Sequence, residues 1–273
     1  MVIGVVHAAL EPDHGIQIGG YAANGGETPG NVISGNGDCG IKLVNGSNHV
    51  VAGNFIGLDA HGQQPLPNAG AGVHVVGGWN SLIGDPGAML GNLIAHNGGP
   101  GIMLSGPTDD TAHPQGISML GNVIRDNGGR SIDLAVEGVL GPTPPDTLDL
   151  DAGPNGLQNH PVLSHVRFDG GVAQVSGDLH AAADRSFDID LYHAPHCSAL
   201  SGAHAVDRLG AVRVTSDGEG NASFVLDVSA APLDGYLTVT ATDTDSMATS
   251  ELSPCLAIGE RIFASGFDDP MSD

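Results

Sequence analysis

The chain has 273 residues, among them 8 Lys or Arg and 31 Asp or Glu, and its formal net charge at pH 7 is −23. Binding to nucleic acid or to an anionic membrane surface needs clustered cations, so this composition excludes both as expected partners. The 43 glycines disfavour a helical bundle, because each helix-interior glycine costs about 1 kcal/mol, while the 40% apolar content argues against disorder.

The N-terminal segment 1–10 is mildly apolar but has neither a basic start nor a clear cleavage site. It therefore does not predict a signal peptide. No stretch approaches 18 consecutive apolar residues, so no membrane span is predicted either.

The first half of the chain repeats itself. Each copy has two segments. The first is Asn-x-Ile, and the second is a small residue followed directly by Ile-x-Leu, with its Ile ten positions after the Asn of the first segment. Three copies have this spacing, and they begin at Asn31, Asn92 and Asn122. A fourth copy begins at Asn54 and reaches Val73-His74-Val75 after a longer connection, and a partial copy, Gly15–Ile18, opens the series.

Each unit contains three short β-like runs separated by turns rich in Gly and Asn. Three short strands per unit predict one coil of a right-handed parallel β-helix, because a lone coil cannot bury its apolar face and stacked coils can. Asparagines repeated in register would hydrogen bond from coil to coil. We therefore predict an all-β fold that opens with a parallel β-helix of about five short coils over residues 1–141. A leucine-rich repeat fits less well, because its leucine spacing is missing.

The second half has a different pattern. Residues 142–160 form an acidic linker rich in Pro and Gly, and about seven alternating strands follow over residues 161–258. This number of strands in about 100 residues is typical of an antiparallel β-sandwich. Cys197 and Cys255 both fall in this part and could form one disulfide. Residues 259–273 are predicted to be a tail.

Several segments resemble bacterial secreted right-handed β-helix repeat proteins. They are Gly53–Asp59, Gly91–Ile94 and Asp151–Leu163, and residues 240–255 resemble the end of the Ig-like domain that often follows such helices. The segment 262–268 is similar to a C-terminal motif of some exported gammaproteobacterial proteins. The resemblance implies an Ig-like second domain and an extracellular or cell-surface location, but no particular activity. Since the series starts in mid-repeat, it also implies further coils upstream.

The x position of the Ile-x-Leu strand predicts an outward column of side chains. Its members are Gln17, Lys42, His74, Met103 and Asp133. If the column is catalytic, Lys42, His74 and Asp133 are the candidates: a polysaccharide lyase needs a base and a charge-stabilising cation, and a glycoside hydrolase needs two carboxylates. Asp133 has no second carboxylate in the column. The alternative is an ordinary solvated face.

The linker holds Asp146, Asp149, Asp151 and Asn155. Calcium takes six to eight oxygen ligands, so this group is a candidate calcium site that would stiffen the junction between the domains. It does not match an EF-hand, and the alternative is a solvated linker. A weaker candidate near the end of the second domain comprises Asp243, Asp245 and Glu251.

A second outward column is apolar and consists of Val32, Phe55, Leu93 and Val123. It is a candidate ligand-binding stripe for a glycan ring, a partner or the second domain. Ordinary β-propensity on a partly covered sheet explains the same residues.

These observations favour a non-catalytic extracellular or cell-surface protein that serves adhesion, display or glycan binding. The alternative is a polysaccharide lyase or glycoside hydrolase acting on the outer face of the helix. The 13 histidines are scattered without a zinc-binding pattern, so calcium is the one cofactor considered. The expected partner is a polysaccharide or a cell-surface glycan. The oligomeric state and the state of Cys39 stay open.

Overall fold

The computed structural model describes residues 6–9, 15–20, 30–85, 90–106, 113–136, 138–169, 171–198, 202–229 and 234–258. The predicted tail, residues 259–273, lies outside the described residues, as does most of the segment 1–10. Within the described ranges, no helix has the length and apolar character that a membrane crossing requires.

Three parallel sheets form a β-solenoid. Sheet 1 contains, in spatial order, β1 (Val6–Ala9), β4 (Ile41–Val44), β7 (Val73–Val76), β10 (Ile102–Ser105) and β13 (Ile132–Ala135). Sheet 2 contains β2 (Gln17–Gly19), β5 (Val50–Ala52), β8 (Trp79–Gly84) and β11 (Gln115–Leu120). Sheet 3 contains β3 (Val32–Ile33), β6 (Phe55–Ile56), β9 (Leu93–Ala95) and β12 (Val123–Arg125).

The solenoid has about three turns, and the prediction of about five coils is wrong. Complete turns, with one strand in each sheet, are formed by β3 to β5, by β6 to β8 and by β9 to β11. The strands β1 and β2 at one end and β12 and β13 at the other end belong to incomplete turns. The prediction counted these partial copies as full coils.

The opening copy of the motif was also assigned to the wrong sheet. Gln17 pairs with Val50 in sheet 2, whereas His7 pairs with Lys42 in sheet 1. The segment Gly15–Ile18 alternates polar and apolar residues as the Ile-x-Leu strand does, and a period of two is common to strands of any sheet. Periodicity alone therefore could not distinguish the two sheets.

The solenoid is held together by a thin apolar core and by two ladders of asparagines. The inward side chains are almost all Ile, Leu and Val, and most are fully buried. One ladder joins Asn31, Asn54, Asn92 and Asn122, and the other joins Asn36, Asn68, Asn97 and Asn127; within each, side-chain amides hydrogen bond from coil to coil at 2.8–3.0 Å. Buried amides must be paired, so the ladders keep the coils in register.

The second part of the chain is built from antiparallel sheets. Two 3₁₀ segments, Thr147–Asp149 and Pro154–Leu157, lead into it. Sheet 4 contains β14 (Val162–Asp169), β15 (Val172–His180) and β20 (Asn221–Ser229). Sheet 5 contains β19 (Asp207–Thr215), β16 (Ser186–Ala194), β21 (Tyr236–Asp243) and β22 (Leu256–Ala257), and β17 (Cys197–Ser198) pairs with β18 (Gly202–Ala203). Apolar side chains from sheets 4 and 5 form one buried cluster.

The second part covers the last coil of the solenoid. Ala205 exchanges two backbone hydrogen bonds with Ile124 of β12, at 2.7 and 3.0 Å. Beside β11, Thr249 donates its backbone N–H to the carbonyl of Ile117 at 3.3 Å. Glu251 Oε1 accepts from the backbone N–H of Leu134 in β13 at 3.0 Å. All three sheet edges, which an uncovered solenoid would leave unpaired, are thus capped. We call this contact region the junction.

Candidate functional site

The column on the outer side of sheet 1 has the register that the repeat predicts over its last four members. Lys42 is level with His74, His74 with Met103, and Met103 with Asp133. Since adjacent parallel strands lie about 4.8 Å apart, Lys42 and His74 are neighbours while Met103 separates His74 from Asp133.

His74 is half-buried and engaged with its neighbours. Its Nε2 lies 2.7 Å from Ser105 Oγ and its Nδ1 lies 3.8 Å from Cys39 Sγ. Burial, and then the charge of Lys42, lower the pKa of His74 to about 4, although the carboxylate of Asp38 opposes the shift. The imidazole is therefore neutral at pH 7 and a weak base.

Asp133 is buried rather than solvated, with 1% of its surface exposed. Its Oδ2 accepts a hydrogen bond from the backbone N–H of Gly141 at 3.2 Å, and its Oδ1 has no partner among the described residues. Burial, and then the nearby carboxylate of Glu251, raise the pKa of Asp133 to about 7. Asp133 thus belongs to the junction, and the structure does not bring it together with Lys42 and His74.

The linker carboxylates do come together. Asp146, Asp149 and Asp151 each place an oxygen within 4.8 Å of the others. Burial, and then the charges of Asp151 and Asp146, raise the pKa of Asp149 to about 7 although the backbone N–H of Asn159 donates to it. Oδ1 of Asp151 is shielded from solvent and has no hydrogen-bond partner among the described residues. Mutual repulsion in this group is what a bound cation would relieve.

Asn155, the fourth residue of the predicted calcium site, has another position. Its side-chain amide pairs with both backbone groups of Ile117 at 2.9 and 2.8 Å, and it also donates to the carbonyl of Thr249 at 3.0 Å. It caps the edge of β11. In the weaker candidate group, Glu251 is likewise taken up by the junction, and Asp243 forms an ion pair with Arg185 at 2.7 Å.

The apolar column of sheet 3 lies in register, from Val32 through Phe55 and Leu93 to Val123. Its middle is covered by the chain itself. A Cβ on Gly62 would lie 3.1 Å from Leu93 Cδ2 and 3.3 Å from Phe55 Cζ, so the loop containing Gly62 lies directly on these two side chains. Partial cover by the chain accounts for the apolar residues at these positions.

Two of the three cysteines form a disulfide, and the third is a free thiol. Cys197 and Cys255 are joined, with their Cα atoms 6.4 Å apart. Cys39 is free and buried, and burial raises the pKa of its thiol. The bridge ties the β17–β18 hairpin, which precedes the capping residue Ala205, to the segment before β22.

A groove of about 320 Å³ runs along the outer face of sheet 2. Its floor has two rows of residues, Asn48, Asn80 and Gly116 in one and Val50, Leu82 and Ser118 in the other, and Met247 of the second part closes one end. Buried His49 and Ser81 complete the lining. Among the described residues that line the groove, none is an Asp, Glu, Lys or Arg.

Trp79 directly precedes Asn80 in β8 and is 45% exposed. It is the one tryptophan of the chain. The sequence prediction missed both the groove and Trp79, because it considered outward columns on two of the three sheets. A lone Trp in a chain with only 4% aromatic residues was the signal that was available.

A second cleft, of about 340 Å³, lies on the other side of Met247. It is lined in part by Asp188, Asp190, Arg208 and Arg213. These four charges are already paired, Arg208 with Asp190 and Arg213 with Asp188. The cleft therefore presents neutralised ion pairs, unlike the uncharged groove.

No family model matches the sequence, and no match is found among curated proteins. Among solved structures, the chain is similar to the GH3 β-glucosidase of Bifidobacterium adolescentis, with a TM-score of 0.22 and 13% identity over 36% of this chain. The chain spans 17% of the length of that enzyme. A likeness of this size carries no argument about fold or activity.

Proposed function

We propose that this chain is a non-catalytic extracellular or cell-surface protein whose β-solenoid binds glycan in adhesion or display. The observation that supports the proposal is the groove on the outer face of sheet 2. Pockets for small ligands have volumes of about 300–1,000 Å³ and combine apolar surface with a few polar groups, and the groove has both properties. It lies on regular strands, whose positions the two asparagine ladders hold fixed.

The proposal is tested with the full chain against a panel of neutral and acidic soluble polysaccharides. Binding is measured by biolayer interferometry, and the same mixtures are assayed for new reducing ends and unsaturated products. Saturable binding without any product supports the proposal. Absence of binding to every polysaccharide contradicts it, and turnover of a polysaccharide replaces it with the enzymatic alternative.

That alternative is a polysaccharide lyase or glycoside hydrolase that uses the column of sheet 1. The adjacency of Lys42 and His74, with Ser105 Oγ 2.7 Å from the imidazole, favours it. Two observations weigh against it: the lowered pKa of His74 makes a weak base, and Asp133 is buried two strands away. If the alternative holds, Lys42→Ala and His74→Ala abolish product formation while leaving the melting temperature within a few degrees.

We further propose that calcium binds Asp146, Asp149 and Asp151 and stiffens the linker. The three carboxylates supply oxygen ligands, and water or backbone carbonyls would complete the coordination of a hard cation. We also propose that the solenoid is right-handed, as the repeat pattern predicts. From the sequence resemblance we propose an Ig-like arrangement of sheets 4 and 5 and secretion by a bacterium.

A further inference from the structure

We propose that Cys39 and His74 bind a thiophilic divalent metal ion, of which zinc is the probe, on the outer side of sheet 1, with Asp38 as a third ligand. The site is separate from the groove on sheet 2 and from the linker carboxylates, so it depends on neither the glycan-binding nor the calcium proposal. Because 35 positions separate Cys39 from His74, no short sequence motif indicates the pair. The stacking of adjacent coils brings the two side chains together.

The spacing of the two donor atoms fits a bound zinc ion. Cys39 Sγ lies 3.8 Å from His74 Nδ1. With Zn–S and Zn–N bonds of about 2.3 and 2.05 Å, a tetrahedral ion holds sulfur and nitrogen about 3.6 Å apart, and a small side-chain rotation covers the difference. Calcium and magnesium prefer oxygen ligands, whereas thiolate and imidazole favour zinc and other transition metals. The donor atoms therefore define the class of ion.

The imidazole of His74 is oriented as a ligand. Its Nε2 lies 2.7 Å from the hydroxyl of Ser105, which is buried in the next coil. With Nε2–H donating to this hydroxyl, the lone pair of Nδ1 is available on the side of Cys39. Metal-binding histidines usually have a partner of this kind on the second ring nitrogen. Burial, and then the charge of Lys42, lower the pKa of His74 to about 4, so no proton competes for Nδ1 at pH 7.

Cys39 supplies the sulfur, because Cys197 and Cys255 are joined in the disulfide. Burial raises the pKa of the Cys39 thiol, although the backbone N–H of Ala71 donates to the sulfur and opposes the shift. The thiol is therefore protonated at neutral pH. Since the thiolate is the metal ligand, binding of zinc must release this proton, whereas the neutral imidazole releases none.

The charges at the site can neutralise a divalent ion. Asp38 Oδ1 lies 3.6 Å from Cys39 Sγ, and because Asp38 is exposed, its carboxylate is free to rotate toward the imidazole. One thiolate and one carboxylate balance the two charges of zinc, and water would complete the coordination. Lys42, which is level with His74, repels a cation and lowers the affinity. Removal of this charge should therefore strengthen binding.

The experiment uses the full chain with its disulfide intact and its one free thiol confirmed as reduced. Zinc chloride is titrated by calorimetry in two buffers of different ionisation heat, and cobalt chloride is titrated by absorption, with excess calcium present to occupy the linker carboxylates. A cobalt–thiolate bond gives an intense near-ultraviolet charge-transfer band, which oxygen ligands do not give. Cys39→Ser and His74→Gln each remove a ligand, Lys42→Ala removes the repelling charge, and exposed His61→Gln is the matched control.

We expect one zinc ion per chain, release of about one proton at pH 7, and the cobalt–thiolate band. Cys39→Ser and His74→Gln should each weaken zinc binding about tenfold or more, Lys42→Ala should strengthen it severalfold, and His61→Gln should leave it unchanged. Circular dichroism without metal checks that each variant folds; if Cys39→Ser does not fold, His74→Gln and the cobalt band decide.

Cobalt binding without the charge-transfer band overturns the site, because the ion then has no sulfur ligand. Zinc binding that both ligand variants retain places the ion elsewhere and also overturns it, as does the absence of zinc binding by the unmodified chain. None of these results changes the test of glycan binding, which uses a different face of the solenoid.

Discussion

The carboxylate of Glu251 in the second part accepts a hydrogen bond from the backbone N–H of Leu134, at the open edge of the last strand of sheet 1. In the interior of the solenoid, that N–H would be bonded to the carbonyl of the next coil. Glu251 therefore supplies the hydrogen-bond acceptor that a further coil would supply. Its second oxygen accepts from the backbone N–H of Thr143 at 3.1 Å. Arg130, whose Nη2 lies 3.3 Å from Glu251 Oε2, balances the charge.

Glu251→Ala is expected to lower the free energy of unfolding by about 3 kcal/mol, because it leaves two backbone donors unpaired and Arg130 without its counter-ion. Glu251→Gln, which keeps one carbonyl acceptor, should cost about half as much. Urea denaturation followed by circular dichroism measures both, with the exposed Glu219→Ala as the control. A loss below about 0.5 kcal/mol for Glu251→Ala would show that the cap does not depend on this carboxylate.

Asp133 should make the stability depend on pH. Its pKa in the folded state, about 7, exceeds that of an unfolded aspartate, about 3.9, so the folded chain holds a proton that the unfolded chain has lost. The contribution of Asp133 to the free energy of unfolding is fully present at acidic pH. It declines by about 1.4 kcal/mol per pH unit as the pH rises from about 4 to 7. Gly141, Glu251 and Arg130 are the groups that face it and influence this pKa.

Asp133→Asn imitates the protonated acid and can still accept from Gly141. We expect the variant to lose less stability than the unmodified chain between pH 5 and pH 8. Asp217→Asn is the control, because backbone N–H donors lower the pKa of this exposed carboxylate. It is therefore ionised in both the folded and the unfolded chain above an unfolded pKa of about 3.9, and its effect should not change between pH 5 and pH 8. Parallel pH profiles for Asp133→Asn and the unmodified chain would mean that Asp133 is ionised in the folded state throughout.

What the sequence could predict follows from its local pattern. The ten-residue spacing placed Ile41, Ile102 and Ile132 inside one sheet, and the matching apolar-x-apolar pattern of Val73-His74-Val75 placed His74 beside Lys42. The contacts of the junction could not be predicted in this way. Ile124 pairs with Ala205 and Leu134 with Glu251 across 81 and 117 positions, and no period connects such residues. The burial of Asp133 and the position of Asn155 depend on the same junction, so the repeat pattern could not predict either of them.

The asparagine ladder should contribute more in its middle than at its end. Asn92 is fully buried, donates to Val51 and Asn122, and accepts from Asn54, whereas the side chain of Asn31 is only part-buried and donates to Asn54. Asn92→Ala is expected to lower the free energy of unfolding by about 3 kcal/mol, and Asn31→Ala by about 1 kcal/mol. Asn92→Asp, which has nearly the same shape but buries a charge, should cost at least as much as Asn92→Ala. Equal denaturation midpoints for the two Ala variants would contradict this role.

Calcium should raise the melting temperature, and a chelator should reverse the rise. At a calcium concentration 100 times Kd, the stabilisation is about 2.7 kcal/mol, or about 5 °C or more for a chain of this size. Asp149→Asn is the informative variant, because Asn tolerates the φ of +55 at this position. Without calcium it should not destabilise the fold, since it removes a charge from a repulsive cluster; with calcium it should lose most of the gain. Scanning fluorimetry that detects no calcium-dependent shift in the unmodified chain would rule out the site.

The disulfide between Cys197 and Cys255 should stabilise the cap as well as the second part. It spans 58 residues, and closing a loop of that length in the unfolded chain corresponds to about 4 kcal/mol in the chain-entropy model. The double variant with Cys197→Ser and Cys255→Ser is expected to have a free energy of unfolding lower by about 2–4 kcal/mol. Because Ala205 lies just beyond the bridged hairpin and bonds to Ile124, the amide of Ile124 should exchange with solvent faster in the double variant. The amide of Ile94 in the middle coil should exchange at its original rate under native conditions, since its neighbours are untouched. Equal loss of protection at both amides would instead indicate that the solenoid and its cap unfold as one unit.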